Sequence, residues 1–156
     1  MIPHEKAMVE RLKDKPFALV GINSDGDRAV SKTFEAKEKE ALASLGNEAA
    51  VVEQVRQADP AFLAKVETAA PGLVAKVRSA DLANLRAILE KNGITWKQAA
   101  QGSTMGPLPR RWNVASWPTI YVLDAKGVIR FKNLRGEELE SAAVKLIAEI
   151  EKDGKR

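Results

Sequence analysis

Two short, nearly continuous apolar runs stand far apart in the chain, Phe17-Ala18-Leu19-Val20-Gly21-Ile22 and Thr119-Ile120-Tyr121-Val122-Leu123. Neither shows the apolar–polar alternation of a half-exposed strand. Runs of this kind suit strands covered on both faces, as in a sheet held between helices. A third run, Val128-Ile129-Arg130-Phe131-Lys132, has one polar face and follows the turn-forming Asp124-Ala125-Lys126-Gly127, so 119–132 reads as a β-hairpin. What lies between the first two runs is helical in character. The fold class is therefore α/β, with strands contributed from distant parts of the sequence.

The helices announce themselves by spacing and by stop signals. Residues 2–13 place Ala7, Met8, Val9 and Leu12 on one inner face, tolerate Pro3 in the first turn, and end at Lys15-Pro16. From Asp27 to Asn92 the chain is rich in Ala, Glu, Lys and Val, punctuated at Gly46-Asn47, Asp59-Pro60 and Pro71-Gly72. Asp59 as N-cap with Pro60 at the first helical position is a helix start. Ser79 or Asp81 is expected to cap a further helix, whose stripe Leu82, Leu85, Ile88 and Leu89 ends at Asn92-Gly93. Three or four short helices are expected before it. Leu63-Ala64-Lys65-Val66 is echoed by Val74-Ala75-Lys76-Val77, but one echo broken by Pro71-Gly72 is no repeat architecture. Gly102 to Pro109 reads as a loop. Leu139, Ala143, Leu146, Ile147 and Ile150 mark a final helix.

Composition removes whole classes of chemistry. The 156 residues contain no cysteine and one histidine, with a net charge of +4. Disulfides, thiolate metal sites and cysteine nucleophiles are excluded, as are sites needing two histidines. No catalytic residue, metal or cofactor is expected. No apolar run reaches the roughly 18 residues of a membrane span. The first residues show no basic, apolar and small-residue zones of a signal peptide. His4-Glu5 reads either as an acid–base pair or as exposed helix-start residues, and adjacent positions do not share a helix face. Between Ile94 and Gly136 there are seven basic residues against Asp124 alone, near Trp96, Trp112 and Trp117. Such a stretch could hold phosphates and bases, or be a solvated hairpin beside core tryptophans. No nucleic-acid motif accompanies it, so no nucleic-acid partner is expected. Gly102-Ser103-Thr104-Met105-Gly106-Pro107 lacks the Lys-Ser/Thr ending of a phosphate loop. Lys37-Glu38-Lys39-Glu40 reads as a solvated helix face with offsetting charges.

Trp117-Pro118-Thr119 carries the most information. A proline at the head of a strand cannot donate to the ladder, and an aromatic–Pro bond is a favoured place for a cis peptide. Its surroundings, with Asn113, Val114, Pro118, Thr119, Asp124 and Gly127 at their spacing, closely resemble the signature of thioredoxin-like redoxin domains. The match is best to the bacterial thiol–disulfide reductases usually found outside the cytoplasm. Residues 1–23 resemble that family's first helix and following strand, with Pro3 matching the helix proline. Residues 82–97 resemble the next helix and its tail, and 119–150 the closing hairpin and helix. The resemblance implies a cis Trp117–Pro118 bond and a loop, Val114, Trp117, Pro118 and Thr119, that docks extended substrate chain. A protein or peptide is the partner so implied, and the family's usual location is periplasmic.

The family's Trp-Cys-x-x-Cys segment and the strand before it have no counterpart here. The resemblance then implies a thioredoxin-like three-layer fold with a reduced sheet, with 1–156 as a single domain and 27–80 as a helical insertion. The two strands flanking the lost one are expected to pair directly, giving about three strands, with the insertion helices packed on one face. Cover by those helices, or a second copy completing the sheet, are the alternatives. Two functions follow. The chain is a member of a thiol–disulfide oxidoreductase family, redox-inactive without its cysteines because it is truncated or degenerate. Alternatively it is a non-catalytic binding or scaffold module using the proline groove or the insertion. A fragment of a longer redoxin is among the expectations.

Overall fold

The computed structural model describes residues 2–153. The chain is mixed α/β: α1 (Ile2–Arg11), β1 (Val20–Asn23), a 3₁₀ turn (Val30–Thr33), α2 (Ala36–Ala43), α3 (Glu48–Gln57), α4 (Pro60–Ala69), α5 (Leu73–Asn92), β2 (Lys97–Ala100), α6 (Pro107–Arg111), β3 (Tyr121–Leu123), β4 (Ile129–Lys132) and α7 (Gly136–Asp153). These elements form two compact units. One is made of residues 2–20 and 114–153, the other of Gly21–Asn113.

In the first unit, α1 and β3 both pack on α7. Met8 and Leu12 of the α1 segment meet Leu139, Ala143 and Ile147 of α7, with Phe17, Ile120, Val122 and Leu134 closing the cluster. The 3.6-residue period of α7 brings its apolar positions to one stripe, and burying each large side chain contributes about 1.5–3 kcal/mol. β3 and β4 are antiparallel, Tyr121 opposite Lys132 and Val122 opposite Phe131, with an irregularity before Leu123 opposite Ile129. The extra residue, Arg130, belongs to β4, so β3 keeps its regular alternation.

The second unit is a helical assembly around Val30, Phe34, Leu42, Val51, Val52, Val55, Val66, Ala70, Leu73 and Val77. Its helices start as their caps dictate. The Asp59 carboxylate accepts from the Phe62 amide at 2.9 Å ahead of Pro60, and the Asn47 side chain accepts from the Ala50 amide at 2.9 Å. Gly93, at φ 58°, ends α5 in the left-handed conformation.

Three expectations need correction. β1 does not pair with β3. The strands form two separate two-stranded sheets, β1 with β2 and β3 with β4, in place of one three-stranded sheet. The strand β2 that takes β1 is Lys-Gln-Ala-Ala, which carries no apolar signal. A Cβ at Gly21 would stand 2.1 Å from the Gln98 Oε1, so the Gln98 side chain lies over the glycine. Second, the apolar runs are not covered on both faces, since Val20 is 54% and Ile22 45% exposed, and Leu123 is 40% exposed. Third, no helix begins at Ser79 or Asp81. α5 runs unbroken from Leu73, because Asp81 finds a charged partner from another helix and is not needed as a cap.

Candidate functional site

The loop singled out in the sequence lies in the first unit and leads into β3. Val114 and Thr119 are half-buried, while Trp117 and Pro118 are exposed. The Trp117–Pro118 peptide bond is cis. Two bonds tie the loop down. The Thr119 hydroxyl donates to the Ser116 carbonyl at 2.6 Å, and the Arg135 Nη2 donates to the Pro118 carbonyl. Arg135 also donates through Nη1 to the Leu134 carbonyl at 3.0 Å, which holds its guanidinium beside the loop.

β3 is an edge strand, because β4 is its one hydrogen-bonded neighbour among the described strands. The Asn133 amide donates to the Ile120 carbonyl at 2.8 Å, and the Asp124 amide to the Val128 carbonyl at 3.0 Å. Even-numbered residues of this stretch thus turn their backbone groups towards β4, and Thr119 and Leu123 turn theirs to the opposite edge. Side chains alternate as well. Ile120 and Val122 join the core, whereas Tyr121, Leu123 and, across the ladder, Ile129 and Lys132 share the other face. On that face Leu123 and Ile129 (48% exposed) present apolar surface, and the Lys132 ammonium lies 5.1 Å from the centre of the Tyr121 ring.

The turn is built on Asp124. Its Oδ1 accepts from the Lys126 amide at 2.9 Å and from the Val128 amide at 3.0 Å, and Oδ2 accepts from Arg130 at 3.3 Å. The Val128 amide foremost, with lesser help from the Lys126 amide and Arg130, holds this carboxyl below the ordinary aspartate range, against a cost of desolvation second in size to the Val128 amide's pull. Arg130 also reaches Glu149 of α7 at 3.1 Å.

Behind the hairpin, α1 is fastened to α7 by charge. Arg11 donates through two nitrogens to Glu140, and Lys15 reaches Glu151 at 2.9 Å. The bond from Arg11 holds the Glu140 carboxyl below the usual glutamate range. His4 stands 3.8 Å from Glu140 through Nε2. Glu5 is buried, and its Oε2 and the His4 Nε2 have no hydrogen-bond partner among the described residues. The burial of Glu5 was legible in part: it precedes Met8 by three and Leu12 by seven, which puts it on their inward stripe.

A second polar cluster, in the other unit, has no local motif. Arg56 donates to both carboxylate oxygens of Asp81, at 3.0 and 2.8 Å, and to the Asp27 carbonyl at 2.6 Å. The Asp27 amide donates to Asp81 at 2.8 Å. Nearby, the Ser103 hydroxyl donates to Glu53 at 2.6 Å and accepts from the Met105 amide at 3.0 Å. Ser103 is 2% exposed, so its hydroxyl is closed to any substrate. This cluster fastens the loops around Asp27 and Ser103 to α3 and α5; its groups are spent on one another. No grouping of three His, Asp or Glu suited to a metal ion occurs among the described residues. Nor is any helix there long and apolar enough to cross a membrane.

Comparison with protein-family models, with curated proteins and with solved structures gives no match.

Proposed function

We propose that this chain is a thioredoxin-like domain of the thiol–disulfide oxidoreductase type, and that its 156 residues carry polypeptide docking without thiol exchange. The observation that carries the reading is the edge strand β3, headed by the exposed Trp117–Pro118 loop and backed by α1 and α7. An extended segment laid beside β3 satisfies its own backbone groups on those of Thr119 and Leu123, the strand-addition mode of peptide recognition. Val114 and Thr119 lie half-buried in the loop, Trp117 offers an aromatic surface, and Arg135 steadies the carbonyl of Pro118. Thiol–disulfide exchange proceeds by thiolate attack on sulfur. A chain without cysteine cannot perform it. That same composition favours a second reading, a binding or scaffold module with no redox role.

One assay separates the two. Insulin reduction is measured on the chain and on a chimaera carrying an apolar strand and Trp-Cys-x-x-Cys ahead of Ile2. The oxidoreductase reading expects turnover from the chimaera and none from the chain. A folded chimaera with a free dithiol that reduces insulin no faster than the reductant alone overturns it in favour of the scaffold reading.

A further inference from the structure

We infer that Met105 is a site of reversible oxidation, whose thioether takes an oxygen atom from a peroxide while the chain stays folded. The inference is independent of the docking function proposed above.

Access of the oxidant decides which sulfur reacts. With no cysteine in the chain, every sulfur atom belongs to one of three methionines. Met1 lies outside the described residues. Met8 is 1% exposed and clusters with Leu12, Leu139, Ala143 and Ile147. Met105 is 58% exposed, more than any other large apolar side chain described, and joins neither core cluster. Its turn accounts for that exposure. The Met105 amide donates to the Ser103 hydroxyl at 3.0 Å, and the Gly106 amide to the Ser103 carbonyl at 3.4 Å. Ser103 is itself buried and donates to Glu53 at 2.6 Å. The backbone of the turn is fastened inward by these bonds, and the Met105 side chain is left in solvent.

The step needs only the sulfur and hydrogen peroxide. A sulfur lone pair attacks one peroxide oxygen, and the S–O bond forms as the O–O bond breaks. The thioether is oxidised by two electrons and the peroxide is reduced. The departing hydroxide takes the proton of the transferred oxygen and leaves as water. The product is a sulfoxide, polar and chiral, which sulfoxide reductases return to the thioether. At Met105 the fold tolerates it, because the hydrogen bonds of the turn are made by the backbone and Ser103 and the side chain belongs to no core. At Met8 the same oxygen would be a buried acceptor without a partner. Met8 therefore reacts through opened forms of the first unit.

The test is a time course of the full chain in dilute hydrogen peroxide, followed by tryptic digestion and mass spectrometry. Cleavage after Lys6, Arg11, Lys97 and Arg110 puts Met1, Met8 and Met105 on three different peptides. The expected result is an added oxygen on the Met105 peptide, gained more than about tenfold faster than on the Met8 peptide, with an unchanged circular dichroism melt. In denaturing urea the two rates are expected to converge. A sulfoxide reductase with its reductant is expected to remove the oxygen from the folded chain, and Met105→Leu to leave that peptide unoxidised. A smaller ratio of rates in the native chain overturns the inference. So does a melt lowered by oxidation at Met105, a folded chain that the reductase does not restore, or oxygen gained first on the peptide holding Trp112 and Trp117.

Discussion

Asp81 sits in the middle of α5, where an aspartate is a poor helix former, and with Arg56 it is among the most heavily bonded side chains described in the second unit. It accepts from Arg56 through both oxygens and from the Asp27 amide. Both partners of the ion pair are about nine-tenths buried. Truncating one member of such a pair leaves the other as an uncompensated charge, at a cost of about 3–5 kcal/mol. Asp81→Ala is expected to lose that much in urea unfolding, and the joint replacement Arg56→Met with Asp81→Leu to lose far less. Gly102 is the neighbouring constraint. At φ 75°, with a Cβ position 2.8 Å from the Asp81 Oδ2, it admits no side chain without disturbing the pair. Gly102→Ala is expected to destabilise the chain, and less so in the Asp81→Ala background, which the same melts check. These two residues also mark the limit of sequence reading. Asp59 was readable because its partner lies three residues away and a proline follows. Asp81 was misassigned as a cap because its partner, Arg56, comes from another helix.

At the scale of elements, the β3–β4 hairpin depends on one ionised carboxylate. Because the Asp124 carboxyl titrates below its ordinary value in the folded chain, its contribution is present at pH above the unfolded value and is lost as pH falls through the lowered one. The Val128 and Lys126 amide resonances are therefore expected to shift together on acidification in the native chain, and Asp124→Asn to remove that step. Glu140 follows the same sign at the α1–α7 contact, through Arg11. Glu140→Gln is expected to flatten the acid side of the stability–pH curve. The hairpin itself was legible, because turn chemistry and alternation are local. β2 was not: Lys97 to Ala100 forms a strand because β1 offers a ladder, which is not a property of the residues that become the strand.

For the molecule as a whole, most helices read from the sequence are present, though the one expected to begin at Ser79 or Asp81 is continuous with the turn from Leu73 and α6 starts within the stretch read as a loop, whereas the arrangement of strands differs from the expected single sheet. Helix periods and caps are written within a few residues. Which strand lies beside which is decided over a long distance in the chain, as where β1 at Val20–Asn23 takes β2 at Lys97–Ala100, and an apolar run says only that it wants cover. The same distance governs the first unit, where Arg11 and Glu140 meet across a separation of 129 residues. Met8, fully buried in that contact, is the natural probe: Met8→Ala is expected to cost about 2–5 kcal/mol, measured by urea unfolding followed through the near-ultraviolet signal of the aromatic residues. The edge at β3 has one more consequence. A ladder of amides and carbonyls does not distinguish a foreign strand from one donated by an identical molecule. The protein is then its own competitor, and peptide affinities are expected to weaken as its concentration rises, converging on the intrinsic value only in dilute solution.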